Sequence, residues 1–393
     1  MIDEDYLQRK KEELNFLASL ASYDEAFDIK SYQDVWDAKL FLKRKLKNKF
    51  FNSSLSVTNL SGRKKINLYG IPISYTYSRS NFKVEHNDFL KLIHPNLEIR
   101  NYISMGTFTA NAQGTLSCLL SAIKIWDSKL GIKCLQKDIY YETDEFLEVF
   151  NLDNDSTILF LDSSACARNF SMVKYAKAII IDTTCFSPND EILEMWINDF
   201  INKNISIFLV RSHQKLDSFG MEYSSLGSIT YIKRDDSMDE VYALFVKLLS
   251  HFGGLPSIEN IYPFFNKKEF FALTEKRVEI IKSRNQIELE HSRNFDHGLY
   301  SWSQLSHRIE KETLAKAAIR FCEKMTQFGI PLKFVESFGW DFSSISILKF
   351  ENYNRGDFFG NKLFKVRLAI SDISVEDAYY LKKCYQHWLE SFA

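Results

Sequence analysis

The sequence predicts an α/β protein in which a large domain built on a mostly parallel sheet is followed by a smaller α+β C-terminal domain. Three observations carry this prediction. Unbroken apolar runs such as Ala178-Ile179-Ile180-Ile181 and Ile207-Phe208-Leu209-Val210 suit strands buried on both faces. Those runs alternate with helix-like stretches at 115–126 and 191–203, the pattern of βα units. After Ser250 the pattern becomes helical at 268–295 and 311–329. Two strand-like runs, 345–352 and 363–371, and a terminal helix, 376–392, complete it.

Residues 1–50 read as two helices. Leu7, Leu14, Leu17 and Leu20 share roughly one face of the first. Ser31 followed by Asp34 forms a capping box that opens the second, which carries Val35, Trp36, Leu40 and Leu42. The basic run 42–49 reads as a solvated helix face, because acidic residues precede it closely. Between about 100 and 235, strands are expected within 138–143, 156–164, 176–184, 205–212 and 228–233. The domain reading is a helical N-terminal extension over 1–70, a large α/β domain over 71–265 and the small domain over 266–393.

Composition excludes several classes. The 393 residues include 50 basic and 51 acidic side chains, a net charge of −1, so no basic excess marks a nucleic-acid surface. No apolar run approaches a membrane span, and the charged N-terminus does not read as a signal peptide, so a cytoplasmic protein is expected. The six cysteines are scattered, without a CxxC pair or clustered histidines, which argues against a zinc site or a disulfide framework.

Ligands of open α/β sheets sit beyond the carboxyl ends of the strands. Asp182 ends one predicted strand, and Ser212 and Lys215 follow another. Gly114 and Thr115 open a helix whose free amides suit a phosphate. A lysine, an acid for a pyridinium nitrogen and a phosphate cradle are what pyridoxal 5′-phosphate requires. Each alone has a plainer reading: a surface lysine, a helix cap, a helix start.

The order of the motifs adds to this. Tyr77-Ser78-Arg79, with Asn81 close behind, resembles the Y-S-R-x-x-N stretch of the pyridoxal-phosphate-dependent cysteine and methionine metabolism family, which includes cystathionine synthases and lyases and methionine γ-lyases. Gln113-Gly114-Thr115, Tyr141-Glu142-Thr143, Asp182-Thr183-Thr184, Ser212-His213-Gln214-Lys215, Ser337-Phe338-Gly339-Trp340 and Val366-Arg367-Leu368 resemble further family landmarks, in family order, across about 70–393. There are departures. Asn81 comes one position early, LDSSACARNF (161–170) replaces the usual Glu and Asn motif, and the loop after Lys215 is unlike the family's.

The resemblance implies a type I fold and a role for each residue. Lys215 would carry the cofactor as a Schiff base and shuttle protons. Asp182 would meet the ring nitrogen and Tyr141 would stack on the ring. Gly114, Thr115, Ser212 and Thr184 would bind around the cofactor. Tyr77 and Arg79 would reach a neighbouring subunit's phosphate, implying a homodimer or homotetramer with shared sites. Arg367 and Ser337 would hold the substrate carboxylate. The implied reaction is elimination or replacement at Cβ or Cγ of an amino acid. Transamination or other Cα chemistry is the alternative, and a degenerate cofactor-binding interaction protein is a third reading. His213 could stack or relay protons, and Cys185 reads as a packed thiol.

Overall fold

A computed structural model describes residues 2–53, 64–68, 71–75, 82–84, 89–99, 102–134, 143, 147, 158–163, 176–188, 190–233, 235–257, 260–265, 267–287, 293–294, 298–305, 310–350 and 363–392. In chain order these form α1 (Glu4–Ala21), α2 (Tyr32–Ser53), β1 (Lys64–Leu68), β2 (Ile71–Tyr75), β3 (Phe82–Val84), α3 (Phe89–Ile93), β4 (Ile103–Thr109), α4 (Ala112–Trp126), β5 (Ile132–Cys134), β6 (Ile158–Asp162) and β7 (Ala178–Asp182). There follow α5 (Glu191–Asn202), β8 (Ser206–Ser212), β9 (Gly227–Lys233), α6 (Asp239–His251), α7 (Lys268–Asn285), β10 (Arg293–Asn294), β11 (Ser301–Leu305), α8 (Lys311–Gln327), β12 (Leu332–Phe334), β13 (Ser343–Phe350), β14 (Leu363–Ala369) and α9 (Val375–Glu390). The chain divides into two compact units. One joins 1–45 and 219–221 to 276–393; the other comprises 46–218 and 222–275.

The second unit holds a six-stranded sheet in the order β4-β9-β8-β7-β6-β5. β5 to β8 are parallel, and β9 runs antiparallel to both β8 and β4. Successive side chains of the central strands enter opposite cores. Phe160, Ile180 and Phe208 pack with Leu119, Ile123 and Phe245 on one face. Leu161, Ile181, Ile207 and Leu209 pack with Leu193, Ile197 and Phe200 on the other. Burial on both faces is why these strands are unbroken apolar runs in the sequence. Asn111 caps α4 and Asp190 caps α5. A separate antiparallel sheet, β1-β2-β3, precedes β4 in the chain.

The first unit has a five-stranded sheet, β10-β11-β14-β13-β12, antiparallel except for the β12–β13 pair. Ile345, Ile347, Val366 and Leu368 pack from this sheet against Leu314 and Met325 of α8, Leu381 and Tyr385 of α9, and Tyr6, Tyr32 and Val35 of α1 and α2. The N-terminal helices, expected as an extension, thus belong to the same unit as the C-terminal segment. The Ser31 box forms reciprocally: the Asp34 amide donates to Ser31 Oγ at 3.2 Å and the Ser31 amide to Asp34 Oδ2 at 2.8 Å.

An ionic cluster ties these helices in. Lys10 and Lys39 are both 0% exposed. Lys10 Nζ lies 2.6 Å from Asp372, 3.0 Å from Asp341 and 3.1 Å from Glu13. Lys39 Nζ lies 2.5 Å from both Glu13 and Asp341, and Arg277 lies 3.5 Å from Asp341 and 3.6 Å from Asp372. Burial would lower Lys10, but Asp341, Asp372 and Glu13 outweigh it and hold the ammonium above the usual lysine range. No described helix is long and apolar enough to cross a membrane.

Candidate active site

The carboxyl ends of β6, β7 and β8 place two acids and a lysine-bearing turn at neighbouring positions. Asp162 and Asp182 are direct partners across β6 and β7, and Asp182 pairs with Val210 on β8. Asp162 is 2% exposed; Asp182 keeps some exposed surface, yet its carboxyl is ringed by protein. Burial and the Asp162 charge push Asp182 up to about 6, against hydrogen bonds from Thr184 and the Arg211 charge. Thr184 fastens the two strand ends together. Its amide donates to Asp182 Oδ1 at 2.7 Å, and its hydroxyl accepts the Ser212 amide at 3.0 Å.

Lys215 lies half-buried in the turn after β8. The turn is clamped from both sides of the lysine. Asp217 meets Arg211 through two contacts of 2.6 Å and His213 Nδ1 through a third of 2.6 Å. Arg211 also donates to the carbonyls of Thr183 and Phe186. His213 Nε2 lies 2.8 Å from Ser228 Oγ, and the Tyr262 hydroxyl donates to the His213 carbonyl at 2.8 Å. Burial opposes ionisation of Asp217, but Arg211 and His213 outweigh it and hold the carboxyl well below its ordinary range. Burial lowers His213, with Asp217 opposing. His213, weighed as a stacking or relay residue, is fully buried with both ring nitrogens engaged, so it anchors the turn.

The start of α4 reaches the same sheet edge, because Thr109 and Ser212 both pair with Gly227 on β9. A Cβ on Gly227 would lie 2.6 Å from the Asn111 carbonyl carbon and 2.7 Å from the Ala112 nitrogen; only glycine admits this approach. The Gly114 amide donates to Asn111 Oδ1 at 2.6 Å. Thr115 is buried, its hydroxyl 2.5 Å from Thr109 Oγ1 and 2.6 Å from the Asn111 carbonyl. Both groups are committed to the cap, which leaves the first-turn amides of Ala112 and Gln113 without a partner among the described residues.

Arg367 belongs to the other unit. It is 2% exposed and faces three rings, with Cζ 5.1 Å from Phe338, 5.4 Å from Tyr300 and 5.7 Å from Trp302. Its Nη2 donates to the Glu336 carbonyl at 2.6 Å. Ser337 follows Glu336, and its hydroxyl is buried without a hydrogen-bond partner among the described residues.

Tyr77, Arg79 and Tyr141 lie outside the described residues. Cys185 is buried, its thiol pushed up by burial and by Asp162 and Asp182, as expected of a packed thiol. Among the described residues, the one acid group close enough to share a metal ion is Glu13, Asp341 and Asp372, and the Lys10 ammonium already sits among them. Sequence reasoning missed Asp162, although ILFLD ends as AIIID does. It also missed the Asp217 clamp, which only the fold of the turn reveals. Chemically, the strand ends offer desolvated carboxyls for a cation, an amine, and open helix amides for an anion.

No protein-family profile matches the chain, and no curated protein matches it. Solved structures do. The broad specificity aminotransferase of Leishmania mexicana is 13% identical at a TM-score of 0.51, covering 96% of this chain and 95% of that one. The aromatic-amino-acid aminotransferase of Burkholderia pseudomallei, covalently bound to pyridoxal phosphate, is 11% identical at a TM-score of 0.50, covering 96% of each chain. Cystathionine γ-synthase of Xanthomonas oryzae is 13% identical over 81% of this chain and 89% of that one, at a TM-score of 0.48, too low to weigh. At these identities the likeness establishes the fold, the type I fold of pyridoxal-phosphate-dependent enzymes.

Proposed function

We propose that this chain is a pyridoxal 5′-phosphate-dependent enzyme acting on an α-amino acid, with Lys215 as the residue that bonds the cofactor. The observation that carries this reading is the pairing of desolvated Asp162 and Asp182 carboxyls with a lysine-bearing turn on the next strand. A buried acid whose proton affinity is raised by burial and by a neighbouring carboxylate suits a protonated ring nitrogen, which would return Asp182 to its ionised form. The donor set therefore fits this cofactor. Asp182 would hold its ring nitrogen, and the Ala112 and Gln113 amides with the Ser212 hydroxyl would hold its phosphate. The Gly114 amide and the Thr115 hydroxyl already bond to Asn111, so this reading takes the Ala112 and Gln113 amides in place of Gly114 and Thr115, which the resemblance had favoured.

The bound cofactor supplies an electron sink for charge developing at the substrate Cα. The chain's own residues do the rest. Asp182 would keep the ring nitrogen protonated and the Lys215 amine would move the proton at Cα, while Arg367, in the other unit, is the residue to which the resemblance gives the substrate carboxylate. The Asp217 clamp fixes the backbone from which Lys215 extends. The motif order favours elimination or replacement at Cβ or Cγ. Transamination is the second reading, and it is the activity named for the two solved structures of TM-score 0.50 or above described here.

The test is product analysis of the cofactor-loaded protein with a panel of amino acids, with and without an added 2-oxo acid. Release of the Cβ or Cγ substituent supports the first reading. Amino transfer that depends on the added 2-oxo acid supports the second. No spectral change and no product with any amino acid would contradict both.

A further inference from the structure

The outer side of α8 and α9, in the first unit, forms a groove that the proposed chemistry does not use. Val366 and Leu368 of β14 face the core beneath these helices, so alternation turns Arg367 to the other face of the sheet. Ala317, Phe321, Lys324 and Phe328 recur at i, i+4, i+7 and i+11, which sets them along one side of α8 and its C-cap. Tyr380, Cys384, His387 and Ser391 recur in the same way along α9 and its C-cap. Ring pairs join the two rows: Phe321 stacks on Trp388 at 5.4 Å, and Phe328 meets Tyr380 at 6.3 Å. Between the rows lies a groove of about 650 Å³. Its apolar lining runs from Phe321, 7% exposed, out to Phe328, 57% exposed, so aromatic surface that a core would cover reaches solvent. Arg320 and Lys324 line it too, and neither has an ion-pair or hydrogen-bond partner among the described residues. His387 is paired with Glu390 at 3.2 Å, so the two α8 cations carry the uncommitted charge of the groove.

We propose that this groove is a binding site for a small aromatic carboxylate. The site lies wholly within the first unit and does not depend on the enzyme reading. Its volume of about 650 Å³ suits one small molecule, since ligand clefts run to roughly 300–1,000 Å³ and are walled mostly by apolar and aromatic side chains. The Phe321 and Trp388 rings on one side and the Phe328 and Tyr380 rings on the other offer stacking and edge contacts to a planar body. Arg320 and Lys324 stand one helical turn apart, near enough for one anionic head to meet both. The guanidinium fork pairs with a carboxylate at two points, and the ammonium adds a third. A neutral aromatic molecule gains the stacking alone, and a cationic one is repelled. The ligand class is therefore set by two features together, the ring-lined walls and the unpaired charge at their edge.

The test uses the purified full-length chain with pyridoxal phosphate present throughout, and 2-naphthoate and 2-naphthamide as probes. Calorimetry is expected to show the acid bound at least about fivefold more tightly than the amide. The double variant Arg320→Gln, Lys324→Gln changes two exposed side chains, so the fold should stand. It should weaken naphthoate binding by at least about fivefold and leave naphthamide binding unchanged. A second readout locates the ligand. Cys384 lines the groove and is half-buried, whereas the half-buried Cys134 lies in the other unit. Naphthoate should slow iodoacetamide alkylation of Cys384, read by peptide mass spectrometry, and leave Cys134 unaffected. Naphthoate binding that the double variant does not weaken, or that leaves Cys384 alkylation unchanged, would place the ligand elsewhere and overturn the proposal. Equal binding of acid and amide would overturn the role of the two cations. Self-association of the chain that the double variant abolishes, without naphthoate binding, would seat a second copy in the groove and also overturn it.

Discussion

Asp182 faces Asp162 across one strand pair, and that adjacency gives the cofactor-free chain a distinct pH dependence. Burial and Asp162 raise its folded pKa to about 6, above the unfolded carboxyl value. The folded state therefore binds the extra proton. The stabilisation this supplies is full below about pH 4 and lost as pH rises through about 6, a change on the order of 2 kcal/mol. Asp182→Asn cannot ionise and should not show this loss, so its melting temperature relative to wild type should rise between pH 4 and 7. Parallel curves for the two proteins would mean that Asp182 ionises freely. Asp217→Ala should be costlier, about 3–5 kcal/mol by urea unfolding, because it strands Arg211 and His213 without their buried acid. A loss under about 1 kcal/mol would show that the clamp does not hold the turn. The strand-end positions of Asp182 and of the turn carrying Lys215 could be read because Asp182 ends one unbroken apolar run and Lys215 follows another after a short polar stretch. Asp217 was not, since its pairing with Arg211 and His213 depends on how the turn folds back.

The helices at the N-terminus show a different limit. Their positions and the Ser31 cap could be read from the sequence, because periodicity and capping are local. Their buried face could not. Lys10, Glu13 and Lys39 look like solvated charges, and only a fold that brings Asp341 and Asp372 to them makes burial possible. Strand positions behaved similarly. AIIID and SIFLVRS were visible as two-sided runs, whereas the antiparallel direction of β9 depends on its partners rather than on its residues. Lys10→Ala should therefore destabilise the chain by about 3–5 kcal/mol, as the loss of one partner from a buried ionic cluster does. The neighbouring exposed Lys11→Ala should stay within about 0.5 kcal/mol. Equal, small effects in urea unfolding would show the cluster to be dispensable.

At the scale of the molecule, the order of weak motifs said more than any one of them. Asp182, and Ser212 with the turn carrying Lys215, lie at the ends of neighbouring strands, and the fold is the type I fold that the order implied. At the expected phosphate cradle, the Asn111 side chain that engages the Gly114 amide carries no signal in the sequence until the helix start is seen. Assembly is a proposal of the same rank. If Arg79 reaches a neighbour's site, Arg79→Ala and Lys215→Ala proteins, each inactive alone, should regain activity when refolded together, up to about half the sites of a mixed dimer. Proven subunit mixing without recovery would place Arg79 elsewhere. The central claim is the bond between Lys215 and pyridoxal phosphate, and it has a direct measurement. The purified chain is incubated with the cofactor, reduced with borohydride, digested and analysed by mass spectrometry. The account predicts a phosphopyridoxyl group on the Lys215 peptide, with none there in Lys215→Ala. Modification of another lysine instead, or of none, would contradict it.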